Sequence, residues 1–111
     1  MDDKKYKIAF DLIVKAGNAK SSAMMALEAA REYDFEKAEE YLKEATEEMQ
    51  QAHHAQFDLI QQESQGNPVD VNIILVHAQD HLTMAIKSIE NVEEFINIYK
   101  LIEKLMKKEG K

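Results

Sequence analysis

The chain lacks cysteine and tryptophan, and its 111 residues include one proline and three glycines. Without cysteine there is no disulfide scaffold, no thiol nucleophile and no cysteine-ligated metal site, which is compatible with a reducing cytoplasm. No stretch approaches the ~18 uninterrupted apolar residues of a membrane span. Because Asp11 and Lys15 break the N-terminal apolar run, we expect no signal peptide. The length suits a single domain over residues 1–111.

Positive charge is scarce, with 14 Lys and Arg against 21 Asp and Glu and a net charge of −7. This balance argues against sequence-independent binding to nucleic acid or anionic lipid, which relies on basic residues. One basic cluster lies at the C-terminal end: Lys100, Lys104, Lys107, Lys108 and Lys111. We interpret it as cations at a helix C-terminus, where the helix dipole favours them.

Few residues interrupt the helical patterns. Pro68 lies in a predicted turn, and Asp34 and Asp70 are predicted N-caps of the helices that follow them. Three long segments rich in good helix formers remain: Lys5–Arg31, Phe35–Ser64 and Val71–Lys107. Helices of this length would each be about 40–55 Å long. Because the connections are short, the sequence predicts an all-α fold, an antiparallel up-down-up three-helix bundle.

Each segment carries an apolar seam at alternating spacings of three and four. In the first it runs through Ala9, Ile13, Ala16, Ala23, Leu27 and Ala30, with Lys20 interrupting. In the third it runs through Val71, Leu75, Ala78, Leu82, Ala85, Ile89, Val92, Ile96 and Tyr99. That segment also carries a second apolar stripe: Ile74, Met84, Phe95, Ile98, Ile102 and Leu105. In a monomeric bundle one of these sides would face water, so the pattern favours a cyclic homo-oligomer. The alternative is a monomer with an unusually apolar surface.

Polar residues interrupt the second stripe near its start. His77 and His81 are four residues apart and share a helix face, and Asp80 lies three residues after His77. Burying a carboxylate and two imidazoles carries a desolvation cost. A hydrogen bond, a metal ion or chemistry must offset that cost.

The second helix carries three more polar side chains at a similar height: His53, His54 and Gln56. Hairpin geometry sets Gln56 opposite Ala78, and it sets Gly17 and Asn18 of the first helix near the same level. There we expect Gly17 to permit close backbone approach and Asn18 to offer an amide. We therefore expect polar or permissive residues from all three helices to converge on one site. Taken singly, Gln56 is also compatible with a buried amide that fixes helix register.

The spacing H-x-x-D-H can hold a metal ion through His77 and His81, but no third ligand is evident. The sequence has no glycine-rich phosphate loop and no identifiable Ser-His-Asp order. The remaining chemistry is a histidine nucleophile that forms a covalent phosphoryl intermediate. Two alternatives stay open. One is a metal-binding helical protein that uses His77 and His81, and the other is a structural adaptor whose polar residues only fix the register between its helices.

Residues 76–82 read VHAQDHL, which resembles the active-site motif of the IIA component of lactose/cellobiose-type phosphoenolpyruvate-dependent sugar phosphotransferase systems. The resemblance extends over nearly the whole chain, through AGNAKS at 16–21, YDFEKA at 33–38 and AHHAQ at 52–56. The chain departs from the family at two places. Thr83 precedes Met84 where the reverse order is expected, and Phe57 stands where threonine is usual.

The resemblance implies a three-helix subunit that assembles into a homotrimer, a nine-helix bundle in the cytoplasm. It implies that His77 takes a phosphoryl group from the carrier protein HPr and passes it to a cysteine of the IIB component. The IIB component then phosphorylates sugar entering through the membrane component IIC. The chain would thus be a phosphotransferase component and not a complete enzyme.

The resemblance also implies roles for the other polar residues of the motif regions. Asp80 from three subunits would meet around a divalent ion such as Mg²⁺ at the trimer axis, and oxygen ligands suit so hard an ion. His81, His53 and Gln56 would line the site and orient His77 or the phosphoryl oxygens.

Overall fold

The computed structural model describes residues 3–110, with side-chain environments from residue 6 onward, and this part of the chain contains three helices and no strand. The helices are α1 (Asp3–Arg31), α2 (Phe35–Ser64) and α3 (Ile73–Lys108). They form a slender body with dimensions of 65 × 23 × 19 Å. Helix α1 packs extensively against both others, whereas α2 and α3 contact each other less. The predicted three-helix bundle is confirmed.

The two predicted N-caps have different outcomes. Asp34 caps α2 as predicted, since its side chain accepts a hydrogen bond from the backbone N–H of Lys37 at 3.2 Å. The prediction of Asp70 as the cap of α3 is wrong. Asn72 holds that position, and its Oδ1 accepts from the backbone N–H of Leu75 at 2.9 Å. The extended backbone of Asn72 (φ −135°, ψ 172°) sets its side chain over the first turn.

The predicted seams form most of the core, in which alanine is the commonest residue. In α1, Leu12, Ala19 and Ala26 are buried outside the predicted seam, and Ile13 and Leu27 within it are only half-buried. In α3 the buried residues are Leu75, Ala78, Leu82, Ala85, Ile89, Val92 and Ile96. Val71 departs from the prediction, because it precedes α3 and is exposed. The idea that Gly17 permits close backbone approach is also wrong, since a Cβ built there would meet nothing within 4 Å.

Leu82 is one of three large side chains that are almost fully buried, with 1% of its surface exposed. We expect Leu82→Ala to lower the free energy of unfolding by about 2–5 kcal/mol, because it removes buried surface and leaves a cavity. Val71→Ala is the control, and its effect should stay within about 0.5 kcal/mol because Val71 lies on the surface. Urea unfolding followed by circular dichroism at one protein concentration measures both. Equal losses would contradict the described core.

A second apolar surface runs along the outside of α3. We call it the α3 face, and it comprises Met84, Phe95, Ile98, Ile102 and Leu105, all exposed in the single chain. This confirms that α3 carries more apolar surface than packing against α1 and α2 uses. Ile74, predicted to belong to the same stripe, is half-buried against the core instead. Within the described residues, no helix is long and apolar enough to cross a membrane.

Candidate functional site

Two imidazole rings are paired on the surface near the start of α3. The Nε2 atoms of His77 and His81 lie 3.1 Å apart, and the ring planes are nearly perpendicular at 83°. His77 is exposed and His81 is half-buried. A hydrogen bond between two ring nitrogens requires one to carry a proton and the other to present its lone pair. In this pair the N–H of one ring therefore donates a hydrogen bond to the lone pair of the other ring, which keeps that second nitrogen unprotonated.

An apolar groove of about 650 Å³ adjoins His77. Its walls include Phe10 and Ile13 of α1 together with Ile73 and Val76 of α3. Phe10 and Ile73 expose 53% and 81% of their surface. The groove is open and apolar, and Ile73 and Asp80 of its lining lie on the same side of α3 as the α3 face.

Asp80 also borders this groove and lies exposed on α3. It makes no hydrogen bond and no ion pair within the part of the chain that the structure describes. Nor do the described residues of one chain contain any group of three His, Asp or Glu side chains that could hold a metal ion. Any metal bound through Asp80 therefore needs ligands from further copies of the chain or from solvent.

Gln56 of α2 reaches α3 at almost the predicted height. Its side-chain Nε2 donates a hydrogen bond to Oε1 of Gln79, the neighbour of the predicted partner Ala78. This contact joins α2 to α3 and leaves Gln56 bonded to Gln79, not to His77. His53 is exposed on α2 and has no hydrogen bond with His77 among the described residues.

The first helix contributes different residues from those expected. Asn18 lies in a separate cleft with two serines of α1 and with Glu44, Glu47 and Glu48 of α2. The predicted convergence of Gly17 and Asn18 with His77 is therefore wrong. Phe10 and Ile13 occupy that height, because the hairpin estimate misplaces α1 by about one turn. The sequence signal that could have found the groove is Phe10, an aromatic residue just outside the α1 seam.

Thr83, one of the two departures from the family motif, has its hydroxyl engaged within α3. Its Oγ1 donates to the backbone carbonyl of Gln79 at 3.1 Å. The hydroxyl therefore binds to its own helix one turn back and is not directed at the imidazole pair. Phe57, the other departure, is exposed on α2 with 56% of its surface accessible.

With this geometry in view, comparison with known proteins decides the family. A family model described as "PTS system, Lactose/Cellobiose specific IIA subunit" matches residues 7–100, which include the imidazole pair, Asp80 and Gln56. The chain belongs to this family. It is a component of a sugar phosphotransferase system (PTS) that carries phosphate and is not a complete enzyme by itself.

Individual relatives agree with this assignment. The lichenan-specific phosphotransferase enzyme IIA component of Bacillus subtilis (strain 168) is 40% identical over 102 residues, 92% of this chain and 93% of the relative. The crystal structure of the PTS cellobiose-specific enzyme IIA from Bacillus anthracis is 41% identical, with a TM-score of 0.90 over 94% of this chain and 95% of that one. The IIA(chitobiose) chain, solved in complex with HPr from Escherichia coli, is 28% identical, with a TM-score of 0.78 over 89% and 96%.

Proposed function

We propose that this IIA protein accepts a phosphoryl group on His77 from phospho-HPr and passes it to the cysteine of a IIB component during sugar uptake. The observation that carries the proposal is the pairing of two imidazoles, with the ring of His77 exposed to a docking partner. A similar chain is known in complex with HPr. Both exchanges take place with partners in the cytoplasm, where we expect the protein to work.

The imidazole pair supplies the nucleophile. When Nε2 of His81 carries the proton, it donates to Nε2 of His77 and keeps that lone pair free of a proton. As the phosphoryl group approaches, the hydrogen bond between the two rings breaks, the lone pair on Nε2 of His77 attacks phosphorus, a P–N bond forms, and the bond from phosphorus to HPr breaks. The N–H of His81 is then free to donate to a phosphoryl oxygen, a charge-assisted hydrogen bond. In the second step the thiolate of IIB attacks phosphorus, and the P–N bond breaks.

We expect His81→Phe to slow phosphorylation by about 10- to 100-fold, which corresponds to the loss of one hydrogen bond to a charged group. Phenylalanine keeps an aromatic ring of similar size and removes the donor. His54→Phe is the matched control, because His54 is an exposed histidine of α2. Quenched-flow measurement of the phosphorylation rate distinguishes them. An equal loss in both variants would mean that the effect does not come from the imidazole pair.

Gln56 and His53 have supporting roles in this proposal. The amide of Gln56 fixes the position of Gln79 on α3, two residues from His77. His53 lies one turn before Gln56 on the exposed side of α2, where a docked partner can meet it. We infer that both act by positioning and neither forms a bond to phosphorus.

We expect trimer formation to bury the α3 face, because five large apolar side chains on this side of α3 are exposed in the single chain. Packing three copies about this face brings three Asp80 side chains to one level of the axis. Their oxygen atoms, which have no partner among the described residues, suit a hard divalent cation such as Mg²⁺.

We expect Asp80→Asn to remove the bound divalent ion. Elemental analysis of trimer dialysed against Mg²⁺ should find one ion per three chains in the native protein and none in the variant, because the amide lacks the negative charge. Retention of the ion by Asp80→Asn would place it elsewhere.

The direct test of the carrier function is the intact mass of the chain before and after incubation with phosphoenolpyruvate, Enzyme I and HPr. We expect a gain of one phosphoryl group that is labile to acid, and its loss when IIB is added. No gain with donors that phosphorylate another IIA protein would contradict the proposal. Retention of the group in the presence of active IIB would contradict its second step.

A further inference from the structure

The stretch of the α3 face between Met84 and Phe95 carries one cation, Lys87, together with the exposed polar residue Asn91. Lys87 is exposed between Met84 and Phe95. Lys87 follows Asp80 by seven residues. Seven residues rotate by about 700° around the helix axis, which is about 20° short of two full turns. Asp80 and Lys87 therefore lie almost on one line along α3, about 10.5 Å apart along its axis. Met84 lies between their levels on the same side of α3 and is exposed in the single chain.

Neither charge has a partner among the described residues of a single chain. No hydrogen bond or ion pair joins Lys87 to another of the described residues, although Glu90 follows it by one turn. Asp80 is likewise unpaired there. Side chains on a helix lean towards its N-terminus, so the ammonium group of Lys87 is carried from its own level towards that of Asp80. Assembly about the α3 face would remove water from both, and an uncompensated buried charge is costly.

We propose that Lys87 is a built-in counter-charge for Asp80, so that the trimer persists without a divalent cation. Three ammonium groups at one level of the axis balance three carboxylates two turns away. The inference rests on the trimer proposed above. It adds that the Lys87 side chains neutralise the three Asp80 carboxylates of that trimer. Glu90 and Glu94 flank Lys87, and His77 and His81 flank Asp80. None of them is changed in the variants below, so the coupling between Asp80 and Lys87 can be isolated.

The test is sedimentation equilibrium of the full chain and of Lys87→Met, each with Mg²⁺ and with EDTA. Methionine keeps the unbranched shape of lysine and removes its charge. We expect EDTA to change the native trimer's dissociation constant by less than about threefold. In Lys87→Met, EDTA should weaken the trimer by about tenfold or more, and Mg²⁺ should restore it.

Two further variants separate this effect from others. Lys104→Met removes an exposed cation from the same helix but away from the α3 face, and it should behave like the native chain. Asp80→Asn combined with Lys87→Met has neither charge, and its trimer should be indifferent to EDTA. If native trimer dissociates in EDTA, or if Lys87→Met gains no sensitivity, the inference is overturned while the trimer stands. A native chain that is monomeric in every buffer overturns both, and phosphoryl transfer is then judged separately by mass.

Discussion

Replacing His77 by glutamine is expected to abolish phosphoryl acceptance and to leave the helical bundle intact. The amide nitrogen of glutamine has no lone pair available for attack on phosphorus, so no P–N bond can form there. His77 is exposed and contributes nothing to the buried core, so the free energy of unfolding should change by no more than about 0.5 kcal/mol. The intact mass after incubation with phospho-HPr and the circular dichroism spectrum report the two effects.

The matched control is His54→Gln, the same substitution at an exposed histidine of α2. It should gain one phosphoryl group per chain, as the native protein does. A full gain of mass in His77→Gln would show that another residue receives the group. Loss of helical signal in His77→Gln would show that this histidine has a structural role that its exposure does not suggest.

Substituting Ile98 by aspartate is expected to convert the trimer to folded monomers. Ile98 exposes 48% of its surface in the single chain, so the bundle itself tolerates a carboxylate there. In the trimer the same change sets three like charges close to the axis, without partners and away from water. Burying even one unpaired charge costs several kcal/mol, so the association constant should fall by at least about a thousandfold.

The control for this prediction is Ile60→Asp, which introduces the same charge on α2 at a residue that is 57% exposed. Size-exclusion chromatography with light scattering should find it trimeric, with native mass per particle. Trimeric Ile98→Asp would mean that the α3 face is not the interface. Monomeric Ile60→Asp would place the interface on α2.

Much of the fold could be predicted from the sequence because helices of this length carry strong periodic signals. The bounds of α2 were predicted without error, and the α3 seam from Leu75 to Ile96 is buried as expected. The error at Asp70 has a local cause, since two candidate caps lie within three residues and the backbone angles of Asn72 decide between them.

The site could be predicted only where helix geometry alone determines it. The pairing of His77 with His81 follows from their four-residue spacing, and the height of Gln56 was predicted to within one residue. The sequence did not predict the groove that contains Phe10, because α1 was matched to α3 with an error of about one turn. The error placed Gly17 and Asn18 at the height where the structure has Phe10 and Ile13. The direction of the ring nitrogens depends on side-chain rotamers, which no sequence spacing specifies.

In the proposed function, one nitrogen of His77 carries the phosphoryl group. The most direct test is to phosphorylate the chain with HPr, keep it at alkaline pH, and locate the added group by fragmentation mass spectrometry. Phosphate is expected on His77 alone, with His53, His54 and His81 unmodified. Phosphate on any of those three histidines, with His77 unmodified, would contradict it.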